Sequence, residues 1–239
     1  MKRPEYGIDA PGVIRNLLIC CIIAILLPVF YPVITIGGIN IYTFGFIYTG
    51  ITCGLTGLWM LLYSVYGKLK HRDRMLNYIN WRGDEKVLDI GTGRGLLAIG
   101  AAKRLTTGRS YGIDIWKAED LTKNKLANTL SNVVAEGVND KIEIVNEDAC
   151  DMSFSDNAFD VVLSNLCLHN ISKAADRKKA CSEVYRVMKK GGTGIISDFI
   201  HIKEYRKNFE ELGMQTEIKP ASFPTTFPPL KILVIKKKF

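Results

Sequence analysis

Val87-Leu88-Asp89-Ile90-Gly91-Thr92-Gly93-Arg94-Gly95, VLDIGTGRG, decides how this chain is read. A short apolar run enters three glycines, and the LLAIGAAKRL that follows has helical spacing, so the stretch predicts strand, turn and helix. In a sheet whose strands alternate with helices, the first such turn lies at the carboxyl edge, where ligands bind. The glycines follow G-x-G-x-G, and Leu96 stands where a dinucleotide-binding turn has its last glycine. Asp89, two residues before Gly91, would repel a phosphate but suits a ligand carrying an ammonium and a sulfonium.

The region around this turn has one texture. From Lys68 onward, strand-like segments (KVLDIG, SYGIDI, KIEIVNEDA, FDVVLSNLCLH, GTGIISDF, TEIKPAS, KILVIKK) alternate with helix-like ones. The helix-like segments include LKHRDRMLNYIN, with Leu69, Met75, Leu76 and Ile79 inward, and AEDLTKNKLANTLSNVVAEG over 118–137. Strands separated by helices imply right-handed crossovers and an α/β fold with a doubly wound, mostly parallel, Rossmann-like sheet.

The other end of the chain is different. Between Asn16 and Gly67 there is no Asp, Glu, Lys, Arg or His. Gly37-Gly38 divides this run into two segments, about 13–36 and 39–66, each long enough for a hydrocarbon core of about 30 Å. They predict a transmembrane hairpin in an N-terminal membrane domain over 1–67, followed by a basic juxtamembrane helix over 68–80 and the α/β domain over 81–239. The rivals are a cleaved signal, whose apolar part is about 7 to 15 residues long, and a re-entrant hairpin kinked at Pro28 and Pro32. Lys2, Arg3 and Arg15 precede the first segment and Lys68, Lys70, Arg72 and Arg74 follow the second, which predicts a two-span integral membrane protein with both termini and the α/β domain cytoplasmic.

The net charge of the 239 residues is +8, with much of the excess beside the apolar run. That placement favours anionic headgroups over nucleic acid as the partner of the juxtamembrane segment. Six cysteines show no metal-ligand spacing, so no metal is expected. Gly50 and Gly54 share a helical face, which serves either packing between the two segments or a homodimer.

VLDIGTGRG resembles the first motif of class I S-adenosylmethionine-dependent methyltransferases, and the chain from about Asn80 to Lys238 keeps that family's motif order. The resemblance implies a seven-stranded sheet and S-adenosyl-L-methionine as methyl donor. By position, Asp89, Gly91, Thr92, Gly93 and Gly95 form the first motif. Asp114 and Ile115 in YGIDI meet the ribose hydroxyls, Asp148 and Ala149 in NEDA meet the adenine, and Asn165 at the end of the fourth strand completes the donor-binding set. The alternative is that these acids merely cap the helices that follow them. FDVVLSNLCLHNI and EVYRVMKKGG are similar to the subgroup containing quinone-biosynthesis methyltransferases.

Methyl transfer from a sulfonium is an in-line displacement, so placement and exclusion of water do most of the work and a base is optional. The candidate bases are His169, near Asn165 and Asn170 after the fourth strand, and His201, which with Asp198 follows the fifth. Each can equally serve a structural hydrogen bond. No N-P-P-Y motif follows the fourth strand. Tyr185 and Lys189 have the spacing of short-chain dehydrogenases, but the glycine turn of those enzymes is absent. The sequence therefore predicts a membrane-anchored methyltransferase acting on a lipid or other lipophilic small molecule. The alternatives are a soluble acceptor, or a tethered module that binds the donor without catalysis.

Overall fold

A computed structural model describes residues 3–116, 121, 124–223 and 225–238; Lys2, residues 118–120 and 122–123 of the expected helix, and Pro224 lie outside these. The chain begins with α1 (Pro11–Phe30), a hairpin of β1 (Val33–Ile36) and β2 (Ile39–Tyr42), and α2 (Phe46–Leu62). Two helices, Pro11–Phe30 and Thr43–Leu76, are long and apolar enough to cross a membrane.

The first apolar helix is shorter than the expected 13–36. Pro32 disfavours helical backbone at Tyr31, and α1 stops at Phe30. Gly37 and Gly38 both have positive φ and join Ile36 to Ile39 as a two-residue turn, so the β-branched residues around them pair antiparallel instead of extending the helices. The expected boundary at Lys68 does not break the chain's path. From α2 a π-turn over Tyr63–Gly67 runs directly into α3 (Lys68–Leu76).

Gly50 and Gly54 face α1: a Cβ on Gly50 would lie 2.8 Å from Ile25 Cγ1, and one on Gly54 2.8 Å from Cys21 Sγ. The close approach these glycines permit is therefore made within the chain, and a dimer through them would have to displace α1. The outer faces of both helices stay apolar and exposed, with Ile22, Val29, Leu55 and Leu58 among the exposed side chains.

The seven-stranded sheet comprises β3 (Lys86–Ile90), β4 (Arg109–Asp114), β5 (Ile142–Asn146), β6 (Phe159–Asn165), β7 (Met188–Asp198), β8 (Gln215–Lys219) and β9 (Lys231–Lys236), in the order β5-β4-β3-β6-β7-β9-β8. β3 to β7 are parallel, while β9 runs antiparallel between β7 and β8. The connecting helices are α4 (Leu96–Ala102), α5 (Leu126–Ala135), α6 (Ala174–Val187) and α7 (Ile202–Glu211). α5 begins at Leu126 rather than Ala118; Leu121 instead forms an isolated bridge with Asp9.

Side chains alternate across β3, and the core divides accordingly. Val87 packs with Met75, Leu76 and Leu97 of α3 and α4, and Leu88 and Ile90 pack with Val184, Tyr205 and Phe209 of α6 and α7.

α3 is a packed element of the domain, and its expected inward face is the one that is buried. Met75, Leu76 and Ile79 enter the core. Lys68 is buried and pairs with Asp9 at 3.0 Å, Arg72 pairs with Asp73 at 2.8 Å, and Arg74 donates to the Pro220 carbonyl at 2.8 Å. Of the four basic residues only Lys70 is fully exposed. A buried ammonium needs a partner, and Asp9 together with the Tyr6 and Gly7 carbonyls supplies it for Lys68.

Candidate active site

β3 lies between β4 and β6, and at its end the chain must turn sharply into α4. At Gly91 φ is 70°, and a Cβ there would lie 2.2 Å from Cys167 Sγ, so both conformation and space require glycine. The N–H groups of Gly91 and Thr92 each donate to the Ile113 carbonyl at 2.9 Å, which fastens the turn to the end of β4.

Asp89 is 1% exposed. Its Oδ2 accepts the Thr92 hydroxyl at 2.8 Å and the Ala98 N–H at 2.9 Å. Ala98 is the third residue of α4, so this carboxylate satisfies a helix-start N–H that the glycine before the helix cannot. Burial pushes the Asp89 carboxyl up to about 7, against the two hydrogen bonds, which favour the anion.

The sign of the pH effect follows. In the unfolded chain the group ionises near about 3.9. Its contribution to stability is fully present below that value and is lost as the pH rises through about 7. The melting temperature of the wild type minus that of Asp89→Asn should therefore fall between about pH 5 and about pH 8. A difference independent of pH would rule out a proton held at Asp89.

Asp114 closes the turn from the other side: Oδ2 accepts the Gly93 N–H at 2.8 Å and Oδ1 the Trp116 N–H at 2.7 Å. Asp148, exposed beyond β5, accepts the Cys150 N–H at 2.8 Å. These strand ends open on one cavity of about 920 Å³, near the top of the roughly 300 to 1,000 Å³ range of small-molecule sites. Asp89, Gly91, Thr92, Gly93, Asp114 and Ile115 line it, as do Asp148, Ala149 and Asn165. Gly95 does not; its φ of 84° starts α4.

His169 also lines the cavity. Its Nδ1 lies 3.0 Å from Oδ1 and 3.1 Å from Oδ2 of Asp198, which is buried at the end of β7 and also accepts the Phe199 N–H. With Nδ1–H donated to that carboxylate, Nε2 carries the lone pair. The loop holding His169 is pinned by Arg177, which donates to the Ile171 and Ser172 carbonyls and grips Glu204 through two bonds of 2.9 Å. That guanidinium holds the Glu204 carboxyl below its usual range. His201 lies outside the cavity lining. Its Nδ1 is 3.1 Å from Glu204 and its φ of 62° starts α7, so the geometry gives it a helix-start role instead of the expected catalytic one.

Sequence reasoning missed a whole wall. Tyr6, Asp9, Ala10 and Val13, then Met60, Tyr63 and Ser64, line the same cavity from the N-terminal side. The strand-like segment before α1 is tied across the domain: the Glu5 N–H donates to Asn132 Oδ1 at 2.8 Å, Asn132 Nδ2 donates to the Glu5 carbonyl at 3.0 Å, and the Tyr6 hydroxyl donates to Glu136 at 2.6 Å. No local pattern announces these contacts, because their partners are more than 120 residues apart. The acids Glu5 and Asp9 just before the apolar run are the signal that could have found them.

Residues 88–196 match the methyltransferase domain family. Over these residues the chain is similar to methyltransferase domains. It is 30% identical over 125 residues to demethylmenaquinone methyltransferase of Bacteroides fragilis, covering 52% of this chain and 47% of that protein. It is 34% identical over 125 residues to the chloroplastic 2-phytyl-1,4-beta-naphthoquinone methyltransferase of Arabidopsis thaliana, covering 51% and 45%. The chain thus spans about half the length of the curated relatives it matches. A solved S-adenosylmethionine-dependent methyltransferase from Methanosarcina mazei has the same fold, with a TM-score of 0.53 at 20% identity over 70% of this chain and 97% of that one.

The methyltransferase domain and its fold imply S-adenosylmethionine as methyl donor, and these comparisons support a methyltransferase that uses it. The site's own chemistry fits that molecule. Three carboxylates at successive strand ends match an ammonium, a ribose diol and an adenine amine. Among the described residues no group of three or more His, Cys, Asp or Glu is placed to hold a metal.

Proposed function

We propose that this protein is a membrane-anchored enzyme that transfers a methyl group from S-adenosylmethionine to a lipophilic acceptor of the quinol or lipid class. The observation that carries this reading is the composition of the cavity: the acids Asp89, Asp114 and Asp148 line it together with Val13 of α1 and with Met60 and Tyr63 at the end of the second apolar helix. Asp89, Gly91, Thr92, Gly93, Asp114, Ile115, Asp148 and Ala149 hold the donor, with Gly95 shaping the turn beneath it. The names of the relatives, which act on naphthoquinones, point to the same acceptor class.

The exposed apolar faces of α1 and α2 exceed what a soluble surface leaves uncovered, and a bilayer covers them. The segment before α1 packs on the domain through Glu5 and Asn132, so the N-terminal end and the domain lie on one side of the helix pair. Arg3 and Arg15 make that side the cytoplasmic one.

In the reaction the donor supplies a methyl group already activated as a sulfonium. The protein's part is to align the acceptor and keep water out, which is where most of the acceleration in such displacements lies. His169 Nε2 accepts the acceptor's proton, and the buried Asp198 carboxylate stabilises the resulting imidazolium.

The reading is tested with the purified full chain in detergent, methyl-labelled donor, a bacterial lipid extract and a water-soluble metabolite extract. Label should enter the lipid fraction. Label confined to the soluble fraction would overturn the lipophilic acceptor, and no label in either would overturn the enzyme.

A further inference from the structure

The cavity contains buried polar atoms that have no hydrogen-bond partner in the protein. Tyr63 is 3% exposed and lines the cavity, yet its hydroxyl makes no hydrogen bond of ordinary geometry. Asn165 lines the same space from the end of β6, beside Tyr63, and its Oδ1 is likewise buried without a partner. Leaving such groups unsatisfied is costly in a protein interior, so a structure that retains them normally gives them a partner.

The chain takes specific steps to place Tyr63 there. It opens the π-turn that interrupts the helix from Thr43 to Leu76, and such turns recur at functional sites. At the far end of that turn Gly67 is pressed against the loop before β9: a Cβ would lie 2.4 Å from the Thr225 carbonyl oxygen. That contact fixes the helix against the domain at the level of Tyr63. Phe227 of the same loop lines the cavity and stacks on Trp59 of α2 at 5.3 Å.

We propose that the Tyr63 hydroxyl and Asn165 Oδ1 form the acceptor subsite, so that the second membrane helix takes part in substrate recognition as well as anchoring. This rests on the lipophilic-acceptor function proposed above. Asn165 Oδ1 only accepts hydrogen bonds, while the tyrosine hydroxyl both donates and accepts. The group that satisfies both at once is a hydroxyl on the acceptor's head, which donates to Asn165 and accepts from Tyr63. Met60 and Val13 then flank the apolar body of the molecule. Tyr63 is a positioning residue in this scheme: the hydroxyl it holds keeps its proton, and the proton released from the methylated atom goes to His169.

The scheme makes stability and activity respond in opposite directions. Deleting a buried hydroxyl that has no partner in the protein leaves the fold unharmed or more stable, while the acceptor loses a hydrogen bond. Full-length wild type and Tyr63→Phe are compared in detergent with labelled S-adenosylmethionine and a total bacterial lipid extract as acceptor pool. The half-saturating amount of extract should rise about tenfold in the variant, as expected for one neutral hydrogen bond. The dissociation constant for S-adenosylhomocysteine should stay unchanged, and the melting temperature should equal or exceed the wild type's. Equal half-saturation in the two proteins would overturn the assignment. So would a melting point several degrees lower in the variant, because the hydroxyl would then be supporting the fold. If the wild type labels no lipid at all, the proposed function fails and the subsite falls with it; if it labels lipid and Tyr63→Phe does so equally well, the subsite alone fails.

Discussion

His169→Gln is expected to lower the rate of methyl transfer by about a hundredfold to ten-thousandfold, the usual contribution of a positioned acid or base, while donor affinity stays at the wild-type level. The separation follows from the geometry. His169 Nδ1 is held by Asp198, which leaves Nε2 for the acceptor, whereas the donor side is built from the ends of β3, β4 and β5. Glutamine keeps the size and polarity of the ring but has no basic nitrogen. Asp198→Asn should show a smaller loss of the same kind, because an amide in that place can donate to Nδ1 and move the lone pair away from Nε2. Single-turnover label transfer measures the first quantity and calorimetry with S-adenosylhomocysteine the second. Wild-type transfer rates in His169→Gln would show that placement alone drives the chemistry.

Asp114→Ala should weaken donor binding by about a hundredfold or more. Two effects combine. The carboxylate accepts the Gly93 and Trp116 N–H groups, so its loss releases the glycine turn. It also faces the cavity where the ribose hydroxyls are to lie. Hydrogen bonds to charged groups are worth about 1.5 to 3 kcal/mol each, and two of them account for the expected factor. Asp114→Asn separates the effects: the amide oxygen can still accept the Gly93 N–H, so the turn is kept, while the charge-assisted bonds to ribose weaken. Titration of the three proteins with S-adenosylhomocysteine decides the matter. Unchanged affinity in Asp114→Ala would remove this residue from the donor site.

The acid-lined part of the cavity was legible in the sequence because its parts are local. A glycine turn, a strand-end acid and the spacing between them are set by neighbours within a few residues, and Asp89, Asp114 and Asp148 came to line one cavity as expected. Spacing could not assign each acid its task. Asp89, read as a ligand for an ammonium, also fills the hydrogen-bonding needs of Thr92 and Ala98, because the helix it precedes begins with a glycine that has no side chain to do so.

The apolar N-terminal end shows the same division. An uncharged stretch of that length implies two apolar helices in any context, since water cannot accommodate it. Their limits depended on finer signals: Pro32 before the hairpin and the β-branched residues around Gly37-Gly38 shortened the first. Continuous helical hydrogen bonding carried the second through Gly67 into the domain.

The amino-acid sequence by itself determined the alternation of strands and helices, the glycine turn and the apolar character of the first 67 residues, all of which follow from periodicity and local backbone preference. Only the tertiary structure decided that Lys68 is buried against Asp9, that the segment before α1 is tied to Asn132 of α5, and that Tyr63 of an apolar helix lies beside Asn165 in the cavity. Those pairs are separated by about 60 to 130 positions in the chain. What joins them is the need to satisfy buried charge and polar groups wherever the packed elements bring them together, and that need leaves no periodic trace in the sequence.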